Sequence, residues 1–278
     1  MWNNLRDGFI EYLKSRRYSD NYVSDIVSYL DKYINVISCP QDIIDIFKRV
    51  QRGRRHLMLG LRVLFRYAEV IGYDKGFLDS LRAALPRCRC NVDLKVPTEE
   101  EIINSLKKLS GVALKYRCLF NLLLDSGLRL KEAVKLINDF EGAEEVNGFY
   151  RCKLGFFRGS KRAFYAYFTK HTMKFLEKIR GEKLNDKAAS TYFRKKKLTN
   201  PKYLRKFAFD KMIELGIPES VADFIQGRVA RSIGAKHYMA LRRQADKHYA
   251  KYATYLAELR AKTAKNAPLF AVVARLLA

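Results

Sequence analysis

Apolar residues recur at the three- and four-residue spacing of amphipathic helices along most of this chain, and the spacing changes to two in residues 149–168. In that region the segments FYRCKL and RAFYAYF alternate around GFFRGSK, a pattern that predicts a β-hairpin. The residues before Pro86 predict four or five helices and no strand. The periodicity therefore predicts a mainly α fold (α+β) in which helices surround a small antiparallel sheet or hairpin.

Breaks in the helical pattern predict two domains. Residues 1–85 form a helical domain, and residues 86–97, PRCRCNVDLKVP, lack periodicity and are bracketed by prolines, as linkers often are. A second domain, 98–278, opens at Thr98 with Glu101 three residues later, the pattern of a capping box. It ends in a short apolar helix predicted at 268–278.

The charge balance indicates a polyanionic partner. The chain of 278 residues has 54 Lys and Arg against 29 Asp and Glu, a net charge of +25. Such a surface favours nucleic acid, although it names a partner class and no activity. Residues 151–206 hold 18 of these cations and only 3 acids. Taken alone, that block is also compatible with an ordinary solvated basic face.

Cysteine usage and hydropathy place the chain in a reducing, cytoplasmic compartment. The five cysteines are scattered and odd in number, and we expect mostly buried, free thiols. Neither a signal peptide nor an apolar run long enough to cross a membrane is evident. Cys88 and Cys90 do not predict zinc, because no second Cys/His pair has suitable spacing. We expect no metal and no cofactor.

Four stretches contribute candidate functional cations. Arg129 follows a glycine turn between two apolar helices, and Lys161 lies in the hairpin turn. Lys202 and Arg205 share one helix face at i, i+3 spacing. The fourth stretch, GRVARSIGAKHYMALRR, holds Arg228 and Tyr238. Each has an ordinary alternative: an exposed arginine at a helix start, a common turn lysine, or a tyrosine that merely packs.

Together these stretches resemble the tyrosine recombinase/integrase superfamily. SGLRLKEAVKL matches the family's SGLRxxEhxxL box, which carries its first catalytic arginine. The family's second box begins with His-x-Leu-Arg, continues through a helix and a turn, and ends in hhxxhLGH. The same layout is present in KYLRKFAFDKMIELGIPESVADFIQGR. In the family the nucleophilic tyrosine lies on the next helix, and Tyr238 comes at the corresponding place here. The specific motifs cover about 98–240. Residues 1–85 resemble, more weakly, the family's core-binding domain, and 98–278 its catalytic domain.

The chain departs from the family pattern at several positions. Lys202 replaces the second-box histidine, and Arg228 replaces the histidine or tryptophan after the glycine. The interval from Arg228 to Tyr238 is ten residues, one more than usual. The family's turn lysine aligns with Arg158, so that Lys161 is the nearest lysine and Lys153 a poorer alternative. These substitutions resemble archaeal viral and plasmid integrases of the spindle-shaped-virus type.

The resemblance implies a role for each catalytic candidate: Arg129, Lys161, Lys202, Arg205, Arg228 and Tyr238. Three arginines would bind the non-bridging oxygens of a phosphate that becomes more negative in the transition state. Lys161 would protonate the leaving oxygen, Lys202 would supply positive charge, and Tyr238 would attack phosphorus. Tyr249, Tyr252 and Tyr255 are rival nucleophiles, farther from Gly227 along the next helix.

The resemblance also implies the partners and the reaction. A site-specific DNA recombinase, or integrase, cleaves and rejoins double-stranded DNA through a 3′-phosphotyrosine without metal or ATP. Such enzymes assemble as a tetramer on two DNA sites, often through a C-terminal helix. Docking of 268–278 on its own domain is equally compatible with the sequence. A type IB topoisomerase that nicks and reseals one strand, and a non-catalytic DNA-binding relative, remain as alternatives.

Overall fold

The computed structural model describes residues 2–87, 92–158, 161–228 and 240–265. The chain forms two compact units, residues 1–93 and 94–278. The described residues contain thirteen α-helices and one three-stranded antiparallel sheet. The predicted mainly α fold with a small sheet is therefore confirmed. The functions of the two parts, and a linker at 86–97, stay predictions.

The first unit is a bundle of five helices, as the periodicity predicts. They are α1 (Trp2–Ser15), α2 (Asp20–Tyr33), α3 (Pro40–Arg49), α4 (Arg54–Val70) and α5 (Lys75–Ala83). Their apolar faces enclose a core in which Phe9, Leu13 and Leu30 are fully buried. A Cβ atom at Gly60 would lie 2.5 Å from the Cγ2 atom of Ile26. Glycine at this position therefore allows α4 to approach α2 closely.

The second unit combines eight helices with the sheet. The helices are α6 (Glu99–Lys108), α7 (Leu114–Ser126), α8 (Leu130–Asn138), α9 (Lys170–Lys178), α10 (Asp186–Lys195), α11 (Pro201–Glu214), α12 (Glu219–Ile225) and α13 (Leu241–Lys265). A short 3₁₀ turn, Leu109–Gly111, follows α6. The predicted capping box at the start of α6 is present, since Thr98 Oγ1 accepts from Glu101 N and a Glu101 carboxylate oxygen accepts from Thr98 N.

Helix α7 is the centre of this unit. Residues Cys118–Ser126 are buried without interruption, which explains the strongly apolar sequence. Helices α9 and α11 and the sheet pack around it. The sequence also predicts a long, mostly polar helix from about residue 236 to 262, whereas Ala240 is not helical and α13 begins at Leu241. The predicted helix at 268–278 lies outside the described residues.

The sheet has the order β1–β2–β3, with strands β1 (Glu144–Val146), β2 (Phe149–Arg158) and β3 (Lys161–Thr169). Strands β2 and β3 form the predicted hairpin, with Phe149 opposite Thr169 and Arg158 opposite Lys161. The register shifts between Lys153 and Phe156. Strand β1 was not foreseen, because a three-residue strand is too short to show an alternating pattern.

Of the three described cysteines, only Cys118 is buried, whereas Cys152 is half-buried and Cys39 is exposed; all three are free thiols. The expectation of mostly buried thiols is therefore wrong for these three, and Cys88 and Cys90 lie outside the described residues. Within the described ranges, none of the helices is both long enough and apolar enough to span a bilayer.

Candidate active site

The glycine turn between α7 and α8 fixes the backbone of Arg129. Gly127 adopts a φ of 59°, in the left-handed region, and ends α7. Arg129 then caps α8 through Glu132, whose carboxylate accepts from Arg129 N at 2.8 Å and from its Nη1 at 2.7 Å. Because Glu132 is buried with 1% exposure, it holds the guanidinium in one place while offsetting part of its charge.

A buried polar network around Asp125, two residues before Gly127, holds the same turn in place. The carboxylate of Asp125, on α7, accepts hydrogen bonds from Thr169 Oγ1 and Thr172 Oγ1, each at 2.7 Å. It also pairs with Arg260 of α13. A fully buried carboxylate is stable only with such partners. The network therefore ties the end of α7 to the sheet, to α9 and to α13.

Arg205, on α11, reaches the glycine turn from a distant part of the sequence. Its Nη1 donates to the carbonyl oxygens of Gly127 and Gln226, both at 2.7 Å. The side-chain amide of Gln226 donates in return to the carbonyl oxygen of Arg205 at 2.9 Å. Among the described residues, the Nη2 atom of Arg205 is buried and has no hydrogen-bond partner. A buried N–H of a charged group without an acceptor is costly, and an anion would remove that cost.

A second glycine turn brings Arg228 to the same place. Gly227, with a φ of 68°, ends α12, and its carbonyl oxygen accepts from Arg129 Nη1 at 3.0 Å. Arg228 Nη1 lies 3.2 Å from Oδ1 of Asp223, a carboxylate buried in α12. The structure therefore joins Arg129, Arg205 and Arg228, which are far apart in sequence, around two glycine turns. We call these three side chains the arginine cluster.

The electrostatics of the arginine cluster favour an anion. Burial, followed by the charges of Arg129 and Arg228, lowers the pKa of Arg205 from 12.5 to about 9, although Glu132 and Asp223 oppose this. The lowered pKa shows that the positive charge of Arg205 is unfavourable as the site stands. A phosphate group would compensate the charge and accept the unsatisfied N–H donor.

The two predicted lysines lie on different elements, α11 and β3. Lys202 lies in the first turn of α11, one turn before Arg205, with an exposed side chain whose Nζ is 5.5 Å from the ring centroid of Tyr203. Lys161 begins β3 opposite Arg158, but its side chain lies outside the described part of the chain. The alternative, Lys153, is exposed on β2 opposite Tyr165. Tyr238 lies outside the described residues.

The three rival tyrosines hold α13 in place. Tyr249 and Tyr252 are fully buried, and their hydroxyls donate to the carbonyl oxygens of Asp125 at 3.0 Å and Leu124 at 2.8 Å. Burial raises the pKa of both phenols well above 10. Tyr255 donates to Glu99 at 2.8 Å, and burial, with that contact, raises its pKa. Protonated phenols committed as donors are poor nucleophiles, so none of the three has the environment of an attacking group.

Sequence reasoning missed the residues that position the arginines. Glu132, Asp223 and Gln226 are buried and contact Arg129, Arg228 and Arg205, respectively. Glu132 had a signal, because it lies three residues after Arg129 at a helix start. Gln226 had a weaker one, since it replaces the leucine of the hhxxhLGH pattern.

A cavity lies beside the start of α8. It has a volume of about 690 Å³ and is lined by Leu130, the residue after Arg129, and by Lys187, Arg194 and Asn200, among others. Asn200 is the N-cap residue of α11, and the lining holds two exposed cations, Lys187 and Arg194, and one acid, Asp186. Across the parts of the chain that the structure describes, we find no group of three or more His, Cys, Asp or Glu side chains that could hold a metal ion.

The fold is similar to that of lambda integrase. A lambda integrase (75–356) dimer bound to a COC′ core site shares 16% identity with this chain, at a TM-score of 0.59; the match covers 81% of this chain and 93% of that one. A lambda integrase tetramer bound to a Holliday junction also shares 16% identity, at a TM-score of 0.61, over 80% of this chain and 75% of that one. No curated protein sequence matches the chain.

A family model supplies the remaining comparison. Residues 94–255, more than half of the chain, match the model described as archaeal phage integrase. This range contains both glycine turns, the hairpin and most of α13. It also agrees with the archaeal character that the lysine and arginine substitutions indicate. The chain therefore belongs to the archaeal phage integrase family, within the tyrosine recombinase/integrase superfamily.

Proposed function

We propose that this chain is a site-specific DNA recombinase that cleaves and rejoins DNA through a covalent phosphotyrosine. The observation that carries this proposal is the arginine cluster with its buried, unpartnered N–H of Arg205. Three guanidinium groups around one point suit a phosphodiester whose non-bridging oxygens gain charge during substitution. The lambda integrase structures are bound to a core site and to a Holliday junction, and DNA is accordingly the substrate we assign to this chain.

The reaction is a transesterification that conserves one phosphodiester bond. The phenolate oxygen of Tyr238 attacks phosphorus, an O–P bond forms, and the bond from phosphorus to the 5′ oxygen breaks. The leaving oxygen takes a proton from Lys161, with Lys153 as the alternative acid. Arg129, Arg205 and Arg228 stabilise the phosphorane-like state, and Lys202 adds positive charge. A 5′ hydroxyl from a second strand then reverses these steps, so that neither ATP nor a metal is required.

Support for Tyr238 comes from its rivals and from its place in the chain. Tyr249, Tyr252 and Tyr255 are committed to hydrogen bonds that hold α13. Tyr238 follows Arg228 by ten residues and precedes α13 by three. The residues on either side of this segment are therefore held in the fold: Arg228 pairs with Asp223, and α13 begins at Leu241. The positive charges of Arg228 and Lys236, which are close to Tyr238 in sequence, would favour the phenolate form.

We propose that the first unit also binds DNA. Arg55, Arg62 and Arg66 are exposed on α4 at spacings of seven and four residues, which places them on one face of the helix. Contacts of this kind with phosphates give affinity without sequence specificity. Four copies of the chain on two duplexes would then exchange strands.

A covalent-adduct assay tests the nucleophile. The protein is incubated with a library of randomised duplexes, and the sequences linked to protein are recovered and resynthesised with a bridging 5′ phosphorothiolate, whose thiol leaves without an acid. We expect the wild-type protein to form a 3′-linked adduct and Tyr238→Phe to form none. Tyr255→Phe is the matched control, and it should retain the adduct. An adduct with Tyr238→Phe would refute the assignment.

The same duplexes separate the alternatives. A recombinase joins strands from two different duplexes, whereas a topoisomerase-like enzyme reseals only the strand that it cut. Joint molecules that depend on Tyr238 support the recombinase. Relaxation of supercoiled plasmid without joint molecules would support the nicking and resealing enzyme, and DNA binding without any adduct would support a non-catalytic relative.

A further inference from the structure

Two phenylalanines near the tip of the β2–β3 hairpin are exposed to solvent. Phe157 is 57% exposed and Phe164 is 41% exposed. Their rings pack edge to face, with centroids 5.1 Å apart and an interplanar angle of 64°. The pair therefore presents a preformed aromatic surface rather than two separate side chains. Large apolar side chains exposed together often indicate a contact with another molecule.

The aromatic pair shares its face of the hairpin with a cation. Phe157 lies directly opposite Arg162 in the register of β2 and β3, and Phe164 is two residues beyond Arg162 on the same strand. Side chains at these positions point to one side of a sheet. Arg162 is exposed as well. Aromatic rings beside a cation are the combination that binds single-stranded or unstacked nucleic acid, through stacking on the bases and attraction to the phosphates.

The hairpin strand that carries Phe164 packs against α12 and the turn that follows it. The ring of Phe164 stacks on that of Phe224 in α12, with centroids 6.1 Å apart at an angle of 18°. The neighbouring residue Ala163 packs so closely against Gly227 that a Cβ atom on this glycine would lie 2.7 Å from the Ala163 Cβ. Since the Gly227 carbonyl accepts from Arg129, the hairpin surface and the cluster are held by one turn.

We propose that Phe157 and Phe164 form a DNA-contacting surface that receives a base unstacked next to the phosphate bound by the arginine cluster. This inference rests on the proposed function, because it takes DNA as the ligand. Apolar side chains that enter a duplex between base steps partly unstack them. Ring contact with the freed base offsets that cost, and Arg162 lies beside the pair, where a phosphate of the same strand would complement its charge. The surface thereby selects a flexible base step at the cleavage position, because unstacking such a step costs little free energy.

The test uses fluorescence of 2-aminopurine, which rises when the base loses its stacking neighbours. The probe is the duplex that the Tyr238→Phe protein binds most tightly in a selection from the same randomised library, with 2-aminopurine placed in turn at each position of the bound site. All proteins carry Tyr238→Phe, so that no strand is cut. We expect a severalfold rise at one position with this parent protein, and no rise with Phe157→Ala or Phe164→Ala. Each substitution should also weaken binding of the duplex by about 10-fold.

Two controls keep the result specific. Phe157→Tyr preserves an aromatic face and should retain the fluorescence rise. Val70→Ala removes a side chain that is 63% exposed in the first unit and should retain the rise as well. Thermal melts check that the alanine variants fold, which we expect because the side chains removed are exposed.

The outcomes separate this inference from the proposed function. Absence of a rise at every position, or a rise unchanged in both alanine variants, would overturn it. If the substitutions instead change the sedimentation of the free protein and leave the fluorescence unaltered, the surface binds a second copy of the chain, which also overturns it. Failure of the Tyr238 adduct refutes only the covalent mechanism, since the fluorescence is read without cleavage.

Discussion

Arg129 and Gly227, separated by 98 residues, are joined by a hydrogen bond of 3.0 Å from Nη1 to the carbonyl oxygen. Through this bond, the backbone of the Gly227 turn helps to hold the side chain of Arg129, which follows the Gly127 turn. Gly227 has a φ of 68° and no room for a Cβ atom, which would lie 2.7 Å from the Ala163 Cβ. The position of the first arginine therefore depends on the absence of a side chain at residue 227.

Gly227→Ala should accordingly reduce both stability and cleavage. The strained backbone and the contact with Ala163 together cost about 1–3 kcal/mol, which urea unfolding would measure. Displacement of the Gly227 carbonyl should slow adduct formation on the phosphorothiolate duplex by at least tenfold. Gly142→Ala is the control, because a Cβ atom there meets nothing within 4 Å and no positive φ is involved. Equal stability and equal rates for the two variants would show that the turn is not constrained.

Arg205→Lys tests whether cleavage needs the two separate donor nitrogens of the guanidinium in addition to its positive charge. A lysine carries all its donors on one nitrogen, so it cannot occupy the place of Nη1, which donates to the carbonyls of Gly127 and Gln226, and also that of the unpartnered Nη2. We expect adduct formation to fall about 100-fold or more, as for the loss of one donor to a transition-state oxyanion. Affinity for the duplex should change much less. Lys211→Gln, two turns later on α11, is the control, and a similar loss in both variants would argue against a specific role for Arg205.

The sequence predicts most of the helices and the β2–β3 hairpin, and it singles out three arginines that the structure brings together. The sequence predicts a helix over 201–214, and α11 has these limits, because Asn200 and Pro201 mark its start and the glycine of LGIPES follows its end. The motifs identify Arg129, Arg205 and Arg228, since their spacing from glycine turns is specific. Their convergence follows from tertiary packing around α7, which periodicity does not encode.

Other features had a weak local signal or none. Gln226 contacts Arg205 through a side-chain amide and a backbone carbonyl, and only the folded chain brings them together. Asp246 likewise looks like an ordinary surface acid of a polar helix. The start of α13 was placed too early because residues 236–240 continue a basic, helix-compatible composition, whereas Ala240 is not helical.

Arg151 and Asp246 provide a third prediction. Arg151 is 8% exposed on β2 and pairs with Asp246 of α13 and, at 2.6 Å, with Glu144. Tyr167 also donates to Asp246, at 3.1 Å. Arg151→Met should destabilise the fold by about 1–3 kcal/mol, because it leaves a partly buried carboxylate without its cation.

Urea unfolding measures this loss, with Arg242→Met as the control, since Arg242 is an exposed cation in the first turn of α13. Because Asp246 lies eight residues after Tyr238, Arg151→Met should also slow adduct formation while binding of the duplex is kept. Unchanged stability, or equal losses in both variants, would contradict the interpretation that the pair anchors α13.

The arginines on α4 give a fourth prediction. If Arg62 contacts a phosphate, Arg62→Gln should reduce the slope of log affinity against log salt by about 1, since each neutralised phosphate releases its counterions. Arg82→Gln is the control: Arg82 is a cation of the same unit that already pairs with Asp79 at 2.6 Å and Glu69 at 2.5 Å. Binding measured between about 50 and 200 mM salt gives the slopes. A slope unaffected by Arg62→Gln would exclude this face of α4 from the DNA contact.

The attachment of α13 to α6 should depend on pH. Glu99 accepts from Lys262 Nζ at 2.7 Å and from Tyr255 at 2.8 Å, and these bonds lower its pKa below the ordinary value of 4.5. A carboxylate with a depressed pKa in the folded state contributes stability that is fully present above pH 4.5. That contribution is lost as the pH falls through the folded-state value. Glu99→Gln should therefore make the free energy of unfolding decline less steeply between pH 5 and about pH 3.

Urea midpoints across this range provide the comparison. Glu100→Gln is the matched control, because Glu100 occupies the same first turn of α6 and shares its helix dipole, yet its side chain is exposed. This control should follow the wild-type pH dependence, while Glu99→Gln departs from it. Identical pH profiles for all three proteins would mean that the contacts of Glu99 do not stabilise α13, and that its position depends on the buried hydroxyls of Tyr249 and Tyr252 instead.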